Sequence, residues 1–220
     1  MIAISIDSKL ATRVPRLVLG AVCCSVVVSE NDSGLWREIN QFTIGMQKRM
    51  SLADLPHQAN VKALRDGYKS IGKDPTRYRG SAEALARRIL QGKGLYQVNT
   101  IVDINNLISL KTLHSVGSYN LDALRPPVQF RIGLPGETYK GIGKELINIA
   151  ELPLFADTQG PFGSPTSDSE RSMITKETNN LLMVIISFDG EKHLPEDLAE
   201  TSLLLQRYTR ATNFETAIIK

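Results

Sequence analysis

Two apolar stretches limit most strongly what this chain can become. Leu17–Val28 reads LVLGAVCCSVVV and Leu181–Phe188 reads LLMVIISF. Both are short, rich in β-branched residues and nearly free of polar side chains, the pattern of buried strands rather than amphipathic helices. The first is expected to be a central strand, with Gly20 as a bulge. Cys23 and Cys24 are adjacent within it. Neighbours on a strand point to opposite faces, so the pair is poorly placed for a disulfide and suits small core positions. Each run is strand-sized, too short to cross a bilayer. The N-terminus, MIAISIDSKL, lacks the basic head and apolar stretch of a secretory signal. A cytoplasmic protein without a membrane segment is expected.

The remaining chain supplies helices and shorter strands. Ile2–Ile6 reads as a first strand. Asn31-Asp32-Ser33 offers caps to a helix over about Leu35–Met50, whose apolar face is Trp36, Ile39, Phe42, Ile44 and Met46. Val61, Leu64 and Tyr68 have helical spacing after Pro56, which predicts a helix near Gln58–Ile71. Ser81 caps a helix over Ala82–Leu90, ended by Gly92 and Gly94. Ile101, Ile104, Leu107, Ile108 and Leu110 mark another over Asn99–Leu113. Ser115–Leu124 is expected to turn at Gly117. Phe130–Ile132 and Glu137–Tyr139 read as short strands around Gly133 and Gly136 that form a hairpin, and Glu145–Ile149 and Leu152–Phe155 then lead into the central loop. An amphipathic helix over Pro195–Thr212 and a closing strand at Phe214–Ile219 complete the chain. The expected fold class is α+β, a mixed β-sheet with packed helices, in one domain spanning 1–220.

Between the short strands and the second apolar run lies Gly160–Asn180, GPFGSPTSDSERSMITKETNN. Pro161, Pro165, Gly160 and Gly163 favour a shaped loop over a helix. Asp168, Glu170 and Arg171 stand in it among Thr166, Ser167, Ser169 and Ser172. Charged and hydroxyl groups at the mouth of a buried strand suit a polar ligand site. The same composition also suits a solvated loop closed by Ser and Asp turns. With only His57, His114 and His193 in the chain, a histidine-rich metal site is not expected, and no cofactor is called for.

Charge is unevenly distributed. Between Lys62 and Lys93 nine basic residues face three acids (Asp66, Asp74 and Glu83), giving +6 in a chain whose total is +3. Everything else therefore sums to −3. Such a segment suits a phosphate backbone, with Arg77, Arg79, Arg87 and Arg88 as candidate contacts and Tyr68 and Tyr78 available for stacking. Solvated Lys and Arg on a helix pair are the alternative.

Two blocks then carry a family resemblance. Val102–Leu124, VDINNLISLKTLHSVGSYNLDAL, resembles V-D-[IV]-T-N-Y-V-x-L-E-x-G-Q-P-x-H-A-[FY]-D-L-D-x-[IL]. Ser169–Leu182, SERSMITKETNNLL, resembles G-E-x-S-G-V-[TN]-x-E-T-x-N-[IV]-L, in the same order and spacing. Both patterns belong to the editing module, the third and fourth domains, of the bacterial phenylalanyl-tRNA synthetase beta subunit. The likeness covers about Lys73–Phe188 and implies a free-standing relative of that module.

That resemblance implies a cleft for the aminoacylated 3′ end of a tRNA, where the family hydrolyses tyrosine wrongly esterified to phenylalanine tRNA. A second site of this kind exists because one pocket discriminates weakly between near isosteres. Glu170 falls on the glutamate that recognises the tyrosine hydroxyl, Asn106 on the asparagine of V-D-x-T-N, and Tyr119 on the aromatic of H-A-[FY]-D. The family's histidine is Gly117 here and its aspartate is Asn120. Asp168 and Ser169 stand on the two glycines of the G-G-E turn. The expected substrate-binding set is Glu170, Asp168, Arg171, Asn106, Tyr119 and Asn120, with no catalytic residue assigned. A trans-editing hydrolase and a non-catalytic RNA or small-ligand binder are both compatible with these residues.

Overall fold

The computed structural model describes residues 1–220. In chain order the elements are β1 (Ile4–Ile6), α1 (Ser8–Arg13), β2 (Val18–Ser25), α2 (Ser33–Arg49), α3 (Ala59–Ser70), α4 (Ser81–Leu90), α5 (Thr100–Thr112) and β3 (Ser115–Asn120). There follow β4 (Val128–Ile132), β5 (Thr138–Lys140), β6 (Leu146–Asn148), β7 (Pro153–Asp157), β8 (Gly160–Gly163), β9 (Asn180–Ser187), α6 (Leu194–Thr209) and β10 (Thr212–Ile219).

The two apolar runs become β2 and β9, the inner strands of a sheet ordered β10-β2-β9-β3. Their side chains alternate between two cores. Leu19, Ala21, Cys23, Leu182, Val184 and Ile186 enter the first core, shared with Phe130, Phe155 and Phe162 of a second sheet. Val18, Val22, Cys24, Leu181, Met183 and Ile185 enter the second, covered by Leu35 and Ile39 of α2, Ile104, Leu107 and Ile108 of α5, and Leu198, Leu204 and Leu205 of α6. A strand apolar on both faces thus lies between a helical layer and another sheet. Each fully buried Leu, Ile or Val contributes about 1.5–3 kcal/mol. Cys23 and Cys24 are free and buried, one in each core.

The second sheet, ordered β1-β4-β7-β8, is mixed, because β1 runs parallel to β4 while β4, β7 and β8 are antiparallel. A separate ribbon pairs β5 with β6. The α+β class with a mixed sheet and packed helices is therefore the observed one. A smaller core of Met46, Val61, Ala86, Ile89 and Leu110 joins α2, α3, α4 and α5.

Several local expectations are corrected. Gly20 pairs with Ile185 in unbroken register. A Cβ there would lie 3.2 Å from Leu194 and 3.3 Å from Leu198, so the glycine admits α6 rather than bulging the strand. The irregularity lies instead in β10, between Thr212 and Glu215. Gly117 makes no turn and sits within β3. Phe130–Ile132 pairs with β1 and β7, and Tyr139 with β6, so the expected hairpin does not form. Helix α4 starts at Ser81 behind a Gly80 cap, and Ile44 of α2 is exposed. The first residues of the long loop, Gly160–Gly163, are drawn into β8.

Candidate functional site

The polar loop leaves β8 at Gly163 and closes on itself through serine hydroxyls. Ser164 Oγ donates to the Ser167 carbonyl at 2.7 Å and accepts from Ser167 N–H at 3.1 Å. Asp168 then turns inward. Its Oδ1 accepts from the Tyr119 hydroxyl at 3.0 Å and from Ser164 N–H at 3.1 Å. Two further tyrosines hold the loop from outside. Tyr139 donates to the Ser167 carbonyl, and the Tyr68 hydroxyl of α3 lies 2.8 Å from Thr166 Oγ1. The Pro165 carbonyl accepts from Ser81 N–H, the first residue of α4, at 2.7 Å.

Tyr119 is fully buried, in edge contact with Phe155 and Phe162 at ring-centroid distances of 5.8 and 5.0 Å. Glycines on two strands make room for its hydroxyl. A Cβ on Gly117 would lie 2.1 Å from that oxygen, and one on Gly163 2.4 Å. Gly117 is therefore a steric necessity of this Tyr119 position. Burial pushes the Asp168 carboxyl up to about 7, against the Tyr119 hydroxyl, the Ser164 N–H and nearby Lys144, which favour the anion. Burial likewise raises the Tyr119 hydroxyl, and the Asp168 charge beside it raises it further.

Glu170 and Arg171 follow on a 3₁₀ turn, Glu170–Ser172, and face different partners. Glu170 is about one-third exposed and meets Lys140 Nζ at 2.9 Å. Lys144 Nζ donates to Ser167 Oγ at 3.2 Å on the same rim. Arg171 is turned toward β7 and β8. It forks onto Asp157 at 2.9 and 3.0 Å, donates to the carbonyls of Ala123 and Gly160, and lies over the Phe162 ring. Burial opposes ionisation of Asp157, yet the Arg171 fork and the N–H groups of Arg125 and Gln159 hold its carboxyl below the usual range. Arg171 is thus committed to the strand framework.

The other residues singled out in sequence do not converge on this loop. Asn120 ends β3 and accepts from Asp122 N–H, capping the turn Leu121–Ala123. Asn106 lies on α5, the helix covering the face of the central sheet opposite Tyr119. His114 precedes the far end of β3, roughly 17 Å along the strand from Tyr119 at about 3.3 Å per residue. Burial lowers its pKa to about 4.

The basic segment folds as α3, α4 and the turn joining them. Glu83, 3% exposed, is its centre. Arg65 forks onto Glu83 at 2.7 and 2.9 Å, Arg79 Nε lies 3.2 Å from the same carboxylate, and an Arg87 nitrogen 3.9 Å. Arg77 lies over the Tyr78 ring at 5.5 Å, and Arg88 over Tyr96 at 3.9 Å. Sequence reasoning passed over Glu83, Arg65, Tyr139, Ser164, Lys140 and Asp157. The i,i+4 spacings of Glu83 with Arg79 and Arg87 were the available signal for Glu83.

This fold and loop define an α+β domain in which a hydroxyl-rich turn sits beside a basic helix pair. Residues 63–218 match the family model described as the B3/4 domain. The chain belongs to the B3/4 domain family, which is found in the phenylalanyl-tRNA synthetase beta subunit. The match extends from α3 through β10, wider than the Lys73–Phe188 span of the motif resemblance. Among solved structures, the chain is similar to an N-terminal fragment of the phenylalanyl-tRNA synthetase beta-subunit from Pyrococcus horikoshii. The TM-score is 0.48 at 13% identity, over 99% of this chain and 50% of that one, so the chain spans about half of the fragment. No curated protein matches it. No helix is long and apolar enough to cross a membrane.

Proposed function

We propose that the protein is a cytoplasmic tRNA-binding domain that hydrolyses a wrongly esterified amino acid from the 3′ end of aminoacyl-tRNA. One observation carries this reading: the polar loop and the basic helix pair share a seam. Pro165 is bonded to Ser81 of α4, and Thr166 to Tyr68 of α3. A tRNA lying along α3 and α4 would bring its acceptor end to the rim formed by Lys140, Lys144, Ser167 and Glu170. A tRNA ester is already activated, so hydrolysis needs an oriented water and a positive group for the developing oxyanion. In this reading the ammonium groups of Lys140 and Lys144 stabilise that charge. Glu170 binds the amino or hydroxyl group of the aminoacyl moiety. Asp168, Tyr119 and Arg171 act as positioning residues that fix the loop, rather than by touching the substrate. Asn120 holds the turn beside it.

A second reading, a non-catalytic RNA or amino-acid-like ligand binder, is favoured by a specific contact. Tyr119 and Asp168 close on each other within the core, which leaves neither free for chemistry. Deacylation of a panel of mischarged tRNAs separates the two. Release of one amino acid, reduced roughly ten- to hundredfold in Glu170→Ala, is the expected result, since a charge-assisted hydrogen bond contributes about 1.5–3 kcal/mol. Melting should change little, because the exposed Glu170–Lys140 pair contributes about 0–1 kcal/mol. Binding without release selects the second reading. Absence of both binding and release rejects the two together.

A further inference from the structure

We propose that Arg65, Arg79 and Arg87, braced on the buried carboxylate of Glu83, form a fork for one phosphodiester group. The inference rests on the tRNA reading for its natural ligand, while the fork itself follows from charge and geometry.

The three guanidiniums come from three segments: Arg65 from α3, Arg79 from the turn before α4, and Arg87 from the second turn of α4. They meet at a single carboxylate. The Arg65 fork already gives Glu83 a bidentate partner, as a buried carboxylate requires. Gathering two more cations there leaves the cluster at +2, three positive charges against one negative. Like charges within a few ångströms repel, so this excess is a cost to the isolated protein. A bound anion would remove it.

The exposures fit that role. Glu83 is 3% exposed, whereas the Arg65, Arg79 and Arg87 side chains are 21%, 35% and 32% exposed. The negative charge is thus shut in, while each of the three arginine side chains keeps part of its surface in solvent. Arg79 Nε is buried and its N–H finds no hydrogen-bonded acceptor, although it lies 3.2 Å from Glu83. Planar guanidiniums fixed at one point match the tetrahedral oxygens of a phosphate better than flexible lysines would. A group of this kind gains affinity from being held in place before the ligand arrives.

The surroundings select a phosphodiester within a longer polyanion over a lone small anion. Lys73 and Arg77 both lie over the Tyr78 ring, at 5.0 and 5.5 Å, and Arg88 lies over Tyr96. These groups extend the positive charge beyond the fork, at sites where an aromatic face also lies beside a cation. Glu83 is then a positioning residue of the interface: it touches no ligand and sets the angle between the arginines.

The test uses the full chain with uncharged tRNA at several salt concentrations, and separately with inorganic phosphate against chloride of equal ionic strength in a thermal melt. For the wild type, phosphate should raise the melting temperature more than chloride does. Arg79→Gln and Arg87→Gln should abolish that difference and lower the log–log salt slope for tRNA by about 0.9, one phosphate's worth. Glu83→Gln is the sharper variant. It makes the basic face more positive, so a mere electrostatic patch would bind tRNA more tightly. A braced fork should bind at least several-fold more weakly. If Glu83→Gln fails to fold, the two arginine variants decide. A tRNA slope and a phosphate effect both unchanged in those variants overturn the fork, while tRNA binding by the wild type keeps the wider reading. A phosphate effect lost in the variants without any tRNA binding keeps the fork and rejects the tRNA reading.

Discussion

Asp168 is a carboxyl held where ionisation is costly, by a loop built to receive it. The Tyr119 hydroxyl and Ser164 N–H point at one oxygen, yet burial outweighs both and raises the pKa to about 7. In the unfolded chain the value is near the ordinary 3.8. Between these values the folded state binds more protons than the unfolded one, so stability falls as pH rises from about 4 to about 7. That difference corresponds to a ceiling of about 4 kcal/mol. Asp168→Asn keeps the acceptor and removes the charge. It should melt several degrees above wild type at pH 8, with the gap closing toward pH 4. A wild-type-minus-variant difference that stays flat with pH rejects this account. At this scale the sequence singled out one loop and named Asp168, Glu170 and Arg171 in it. What it could not show was that their side chains part company, to Tyr119, Lys140 and Asp157. Those partners lie 49, 30 and 14 positions away, in strands whose pairing no local pattern reveals.

At the level of elements, β3 shows how one glycine can carry a strand's geometry. Residues 117 and 119 lie on the same face of the strand, and the Tyr119 ring folds back over Gly117. A methyl group at 117 would meet Tyr119 atoms at 2.1, 2.5 and 2.8 Å, and these belong to a fully buried ring with little freedom to move. Gly117→Ala should therefore destabilise the fold by roughly 1–3 kcal/mol, the usual cost of overpacking. It should also release Tyr119 from Asp168, which a denaturant melt combined with tyrosine fluorescence would detect. A stability equal to wild type would show that the ring has another place to go. The elements most legible in the sequence were those with strong patterns: β2, β9 and the helices α2, α3, α5 and α6. Continuous apolar runs and helical spacing are set by burial, which each segment records in its own residues. Strand partners were not legible. β4 and β5 look like a hairpin because Gly133 and Gly136 punctuate them. Their hydrogen bonds go instead to β7 and β6, a choice made by the two-sheet core. Gly20 and Gly117 misled for the same reason: each is small for the sake of a neighbouring side chain that no local pattern reveals.

Across the whole molecule, the decisive property is the separation of charge. Lys62–Lys93 carries +6 and everything else −3, and the segment folds into one helix pair rather than being dispersed. Internal pairing moderates this without removing it. Asp66 is shared by Lys62 and Lys69, Lys73 reaches Glu151, and Glu83 serves three arginines. Arg77 and Arg88 have aromatic rings beside them and no carboxylate within ion-pair distance, which leaves their charge available to a partner. Replacing Arg77, Arg79, Arg87 and Arg88 together by Ala takes the segment from +6 to +2. If these side chains face a phosphate backbone, tRNA affinity should fall steeply at low salt. The log–log salt slope should flatten by roughly 0.9 for each phosphate no longer neutralised, and the weakening should be similar for different tRNA sequences, because phosphates carry no base information. Filter binding between low and physiological salt measures both quantities. Folding is checked separately by a melt, since Arg88 also bonds the carbonyls of Lys93 and Gly94 and its removal loosens the end of α4. A folded quadruple variant with the wild-type slope would place the RNA on another face and detach the basic helix pair from the function proposed for it.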